Sequence, residues 1–411
     1  MADEPIAGRA SRKPWWVTLT GNVALGLLGL LIALLLGELM VRLAGFSYTV
    51  YVWTDPVRGM AHIPGAKSVR QSNGRPWVEI NSDGWRGPEV PLAAPPGTFR
   101  IALLGDSYIE AFEVPFEKTV GELLEGRLSA LRGTPVDVLN FGHGGYGTTQ
   151  ELLTLQHEVW KYSPDLVLLA VTTGNDISDN SRSLKRIDYV PYHVFQGDRL
   201  VLDTSFRQAE GYRSRAIWTR RLLFLMQHSR LAQLVNRVRR TSRKTEQQQA
   251  NRTAGEEVGM RDEVHLPPAT PEWEEAWRVT EALIGLMRDE CRTHGTPFAM
   301  VTLSRGIQVS PNPEEKQRFL RALGAPDLYY AERRLADLGR RDGIPVLNLA
   351  PTMADRAIRD QVYYHAHQDS LGVGHWSEAG HRAAADLIAG WLATEFSDTA
   401  ATPHAAADRT P

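Results

Sequence analysis

At 411 residues, 43% of them hydrophobic, the chain is long enough for one large core with room for an insertion. Basic side chains number 46 and acidic ones 48, and the net charge of -2 excludes a general nucleic-acid binder. The one cysteine, Cys291, excludes an intramolecular disulfide framework and leaves the redox compartment open.

Residues 1–14 carry Arg9, Arg12 and Lys13, and the stretch Trp15 to Gly37 has no charged residue. That length suits a bilayer-spanning helix, and the positive-inside rule puts residues 1–14 in the cytoplasm and the bulk of the chain outside it. In a Gram-negative cell the outside is the periplasm. A cleaved signal peptide is the competing reading. The apolar stretch is long for one, and no small-x-small site lies just before Glu38, so an uncleaved membrane anchor over 15–37 is expected. Glu38 and Arg42, four apart, can pair at its outer end.

Residues 38–98 read as an irregular lead-in. Trp77 to Asn81, then Ser82-Asp83-Gly84, then Trp85-Arg86 predicts a short hairpin. From Phe99 the pattern alternates between strand and helix. Strands are expected at Ile101–Leu104, Val136–Asn140, Leu166–Val171, Phe298–Leu303 and Val346–Leu349, with helices at Thr119–Leu131, Thr149–Tyr162, Glu272–His294, Tyr329–Arg341 and from Ser377 to about Phe396. Such alternation implies an α/β domain over 99–396 with a parallel sheet. Residues 181–269 interrupt it. Within them Ser214 to Arg240 reads as one arginine-rich helix, packed on the domain, lying on lipid headgroups or gripping an anionic glycan. Thr241 to Ala269 reads as a mobile loop, and 397–411 as a disordered tail.

Four loops hold the candidate chemistry. The first strand ends in Gly105-Asp106-Ser107, and the second runs into Asn140-Phe-Gly-His-Gly-Gly-Tyr-Gly147. The third is followed by Thr173-Gly174-Asn175-Asp176, and Gly374-His375-Trp376-Ser377 precedes the last helix. Open α/β sheets place their chemistry at the C-terminal ends of their strands. A serine nucleophile, an imidazole base, a glycine backbone donor and an amide donor are the parts that acyl transfer needs. Taken singly, Ser107 also fits a helix cap, Asn175 a turn and His375 a packed ring. His365 and His367, with His375 or His381, also suggest a metal site, but no carboxylate or cysteine pattern accompanies them. No cofactor is expected.

With all four blocks in this order, the sequence resembles the SGNH, or GDSL, hydrolases. The residues that carry the resemblance are Ser107, Gly145, Asn175 and His375, and it spans about Phe99 to Phe396. The N-terminal anchor and Asn81-Ser-Asp-Gly-Trp-Arg86 resemble membrane-anchored members from bacterial glycan loci. The resemblance implies a flavodoxin-like three-layer sandwich with a five-stranded parallel sheet, preceded by one transmembrane helix. It implies Ser107 and His375 as catalytic, and Gly145 and Asn175 as oxyanion-hole donors. In the family an aspartate stands three residues before the histidine; here that residue is Gly372. Asp369, or a backbone carbonyl in a Ser–His dyad, is left to orient the ring. The expected activity is a serine esterase acting on acyl, for instance acetyl, esters of a glycan or glycolipid outside the cytoplasm. An O-acyltransferase on a polysaccharide and a non-catalytic glycan-binding or assembly protein are the alternatives.

Overall fold

The computed structural model describes residues 15–47, 50–69, 76–239, 260–367 and 370–397. Its centre is a sheet of five strands: β1 (Phe99–Gly105), β2 (Val136–Gly142), β3 (Leu166–Thr172), β4 (Phe298–Leu303) and β5 (Val346–Asn348). All neighbours are parallel, in the order β2-β1-β3-β4-β5. That is the doubly wound flavodoxin-like order, and its reversal between β1 and β3 opens a crevice at the strands' C-terminal ends.

The apolar runs are continuous because both faces of the sheet are covered. Ile101 and Leu103 of β1 face Leu124, Leu128, Met353 and Ile388, from the helices Val120–Arg132, Leu349–Asp360 and Glu378–Glu395. Ala102 and Leu104, on the alternate positions, face Leu152, Trp277, Met287 and Leu335 on the other side. Arg100 inside β1 is fully buried. Its guanidinium donates to Asp137 and to the carbonyls of Leu92 and Tyr162, so its charge is paired where it is dry.

The expected strands and flanking helices are in place, with differences at their ends. The helix after β2 is α-helical over Thr148–Thr154, then widens into a π turn over Leu155–Val159. Helices at Pro313–Leu323 and Leu349–Asp360 are additional. The predicted hairpin is different. Trp77–Glu79 pairs with Lys67–Val69, and Arg86 returns only as a single bridge to Ile80. Asn81 accounts for this, since its side-chain oxygen accepts from the amides of Asp83 and Trp85 and coils the chain into a turn.

The arginine-rich helix is two helices, Glu210–His228 and residues 230–239, separated by extended Ser229. The cause lies in the N-terminal helix Trp15–Leu43, whose apolar side chains point outward. Near its end, Glu38 accepts from the Ser229 hydroxyl and the amides of Arg230 and Leu231, while Arg42 pairs with Glu38 and donates to the His228 carbonyl. One turn thus caps the C-terminus of one insertion helix and the N-terminus of the next. The expected mobile loop is described only from Met260, where Val264 and His265 are buried. Residues 1–14 and 398–411 lie outside the described residues.

Gly142, the last residue of β2, touches the turn after β1 backbone to backbone. A Cβ there would overlap the Glu110 amide and lie 2.6 Å from the Ile109 carbonyl carbon. Overpacking of this kind costs about 1–3 kcal/mol. Gly142→Ala is expected to lower the unfolding free energy by that amount, read as a lower urea midpoint without a change in m-value.

Candidate active site

Ser107 begins a one-turn helix, Ser107–Glu110, directly after β1. The turn is fixed by Asp106, which is fully buried. Its carboxylate accepts from the Tyr108 amide at 2.9 Å, the Thr172 hydroxyl at 2.9 Å and the Asn175 side-chain amide at 3.0 Å. Burial raises the Asp106 pKa, and these donors with the nearby His375 offset only part of that rise. Gly105 is required here, because a Cβ would meet the Ile109 side chain at 2.5 Å.

His375 lies on the strand Ser370–Trp376, which pairs with His365–His367, rather than in the expected loop. Gly372 and Gly374 in this strand have φ of +78° and +80°, a backbone that bends the strand and favours glycine. The bend brings His375 Nε2 to 2.7 Å from Ser107 Oγ. Nδ1 faces Glu113 Oε1 at 3.9 Å. Asp369 lies outside the described residues.

The other imidazoles nearby have separate partners. His365 Nδ1 donates to the Gly374 carbonyl at 2.8 Å, and its Nε2 meets Ser304 Oγ, which also accepts from Trp376 Nε1. His381 Nδ1 accepts from the Val120 amide. Burial lowers His365 to about 4 and His381 to about 3. His365, His375 and His381 therefore have separate partners, the His367 side chain lies outside the described residues, and Trp376 is packed in the core.

The glycine loop after β2 folds over the turn that carries Ser107. His143 N–H donates to the Gly105 carbonyl, and Gly144 N–H to Glu110 Oε1 at 2.9 Å. Gly145 takes φ +82°. Asn175 follows β3, and one of its amide hydrogens is given to Asp106. Gly145 and Asn175 thus flank the turn that carries Ser107, one on each neighbouring strand.

A buried cluster beneath this loop has no signature in the sequence. His62, from the lead-in, has Nε2 2.7 Å from Glu110 Oε1 and Nδ1 3.1 Å from the Gly84 carbonyl. Burial alone would raise Glu110, but the bond and charge of His62, with His143 and the Gly144 amide, lower it to about 2. His143 stacks between His62 and Tyr146, with centroids 4.1 and 4.2 Å away, and burial lowers it to about 3. One ligand atom from each of His62, Glu110 and His143 lies within 4.8 Å of the others, and the cluster clasps the lead-in to the loops after β1 and β2.

Behind Asp106, Glu151 and Asp176 are both fully buried. Burial pushes both well above the ordinary carboxylate range, and a neighbouring negative charge adds to it, that of Asp106 at Glu151 and that of Glu151 at Asp176. A carboxyl whose pKa is raised on folding favours the folded state below its unfolded value, and that contribution is lost as pH rises towards the folded value. Glu151→Gln removes the loss. The variant is expected to gain stability relative to the parent between pH 4.5 and pH 7 in paired urea titrations, where roughly 4.3 is the unfolded reference. A difference that stays flat with pH would contradict this.

No protein-family model matches the chain, and no curated protein does. Solved structures are similar to it at low identity. An acetyl xylan esterase shares 11% identity over 72% of this chain and 100% of its own, with a TM-score of 0.38. An acetylxylan esterase from Geobacillus stearothermophilus shares 11% over 71% of this chain and 92% of its own, with a TM-score of 0.36. A lipase/acylhydrolase from Enterococcus faecalis shares 14% over 72% and 96%, with a TM-score of 0.34.

Proposed function

We propose that this chain is a membrane-anchored SGNH-type serine esterase that removes acyl groups from a glycan or glycolipid outside the cytoplasm. The observation that carries the chemistry is the 2.7 Å contact between Ser107 Oγ and His375 Nε2, formed by residues 268 positions apart. A purely binding role gives no reason for that contact.

In the proposed reaction, Nε2 accepts the Ser107 proton as Oγ attacks the ester carbonyl. The oxyanion is held by the Ser107 and Gly145 amides and the Asn175 side chain, each such donor being worth about 3–4 kcal/mol. The His375 imidazolium then protonates the departing alcohol, leaving an acyl-enzyme on Ser107. In the second half-reaction the imidazole takes a proton from water, which attacks the acyl carbon, and Ser107 leaves with that proton.

The anchor reading rests on Leu19–Leu43, 25 residues long and outside the folded core. At 1.5 Å per residue that length is roughly 38 Å, enough to cross a hydrocarbon core of about 30 Å. Its last turn holds the insertion through Glu38 and Arg42, which ties the domain to the outer surface in this reading.

The test uses the full chain in detergent micelles with p-nitrophenyl acetate, with and without an oligosaccharide acceptor. Ser107→Ala is expected to lower kcat by about 10⁴-fold or more. Hydrolysis that survives the substitution contradicts the proposal. Acetylated acceptor formed at the expense of free acetate assigns an acyltransferase instead.

A further inference from the structure

Resting on Ser107 and His375 as the reacting pair, we infer that Glu113 is the positioning residue for His375, and that buried Arg86 holds it in place. The glycine at 372 leaves no acid three residues before the histidine. Glu113 reaches the same ring atom from a different part of the chain. It lies in the turn just after the nucleophile helix, with Oε1 3.9 Å from Nδ1, the nitrogen opposite the one that faces Ser107. Across that distance it already favours a proton on Nδ1, which leaves Nε2 as the acceptor that Ser107 needs. When Nε2 takes the serine proton, the ring becomes a cation and draws the carboxylate in. Catalytic contacts are commonly long before substrate binds.

The turn that presents Glu113 does not form from local preferences alone. Ala111 takes φ +52°, a left-handed conformation that costs energy for a residue with a Cβ. Arg86 supplies the compensation. It is 2% exposed, and its guanidinium donates to the carbonyls of Glu110 at 2.8 Å, Ala111, and Val114 at 2.6 Å. Phe112 and Phe116 flank it, with ring centroids 5.6 and 5.8 Å from Cζ. Three carbonyls around Glu113 are therefore fixed by one rigid fork, which a lysine could not reproduce. This gives the Asn81-Ser-Asp-Gly-Trp-Arg86 segment a function: Asn81 coils the turn and Arg86 enters beneath the active site.

The other titratable groups that face His375 do not fill this role. Asp106 lies behind Ser107, with its oxygens taken by Tyr108, Thr172 and Asn175. The Tyr108 ring lies 5.0 Å away, and its hydroxyl donates to the Gly374 carbonyl. Burial keeps His365 and His381 uncharged at neutral pH. Glu113 is the acid on the Nδ1 side among the described residues.

The test measures the rate at which a fluorophosphonate labels Ser107 in the full chain in detergent micelles, as a function of pH, which requires no knowledge of the natural ester. The parent is compared with Glu113→Gln, Glu113→Asp and Asp369→Asn. Glu113→Gln is expected to slow labelling about 10- to 100-fold at neutral pH. That is less than the ~10⁴ seen for a fully buried orienting acid, because the Glu113 side chain is 23% exposed. Removing a negative charge beside the ring also disfavours its protonation, so the acid limb of the profile moves to lower pH. Glu113→Asp restores part of the rate and the limb, which repair of packing alone does not. Unchanged rate and limb in Glu113→Gln, or a loss confined to Asp369→Asn, overturns the inference while leaving Ser107 as nucleophile. A parent that is not labelled at all overturns the Ser107 assignment itself.

Discussion

The site depends on one buried carboxylate. Asp106 ties the turn after β1 to Thr172 at the end of β3 and to Asn175 just beyond it, while capping the helix that Ser107 begins. Leaving a charge in so dry a place is costly unless its oxygens are satisfied, and here both are. The turn after β1 and the end of β3 with its following loop are thereby locked in one arrangement. Ser107 and Asn175 owe their relative position to this residue, not to any contact between themselves.

Around that centre, the lead-in does more than connect an N-terminal helix to a domain. It places His62 against Glu110 and Arg86 beneath the turn from Glu110 to Val114, so the C-terminal end of the Ser107–Glu110 helix is held from outside the sheet. Removing one partner of a buried hydrogen bond costs more than the bond itself contributes, because the other polar group is left unsatisfied. The geometry of the site is therefore shared between the sheet, which sets the strand ends, and His62 and Arg86, which hold the turn.

What the sequence made legible follows from how local each signal is. Leu166 to Val171 is an unbroken apolar run because β3 is buried on both faces, and it reads as a strand without further information. Ser107, Gly145, Asn175 and His375 stand out through the order of their motifs, and the fold brings Ser107 and His375 into contact, with Gly145 and Asn175 in the loops on either side of the Ser107 turn. The strand bearing His375 was hidden, because Gly372 and Gly374 look like loop residues and are in fact the bend that aims the ring. His62 with Glu110, and Glu113 with His375, were illegible for a different reason: each pair joins segments 48 or more residues apart with no periodicity to link them. The break at Ser229 was likewise set from a distance, by Glu38.

The central claim is that Ser107 forms a covalent acyl intermediate with His375 as its base. Rapid acid quenching of the full chain after brief exposure to an acetyl ester, followed by mass spectrometry of the peptide that contains Ser107, tests it most directly. The account predicts one added acetyl group on Ser107 in the parent chain and none in His375→Ala. Turnover of the ester with Ser107 unmodified at every quench time, or an acetyl group carried by another residue, would contradict it.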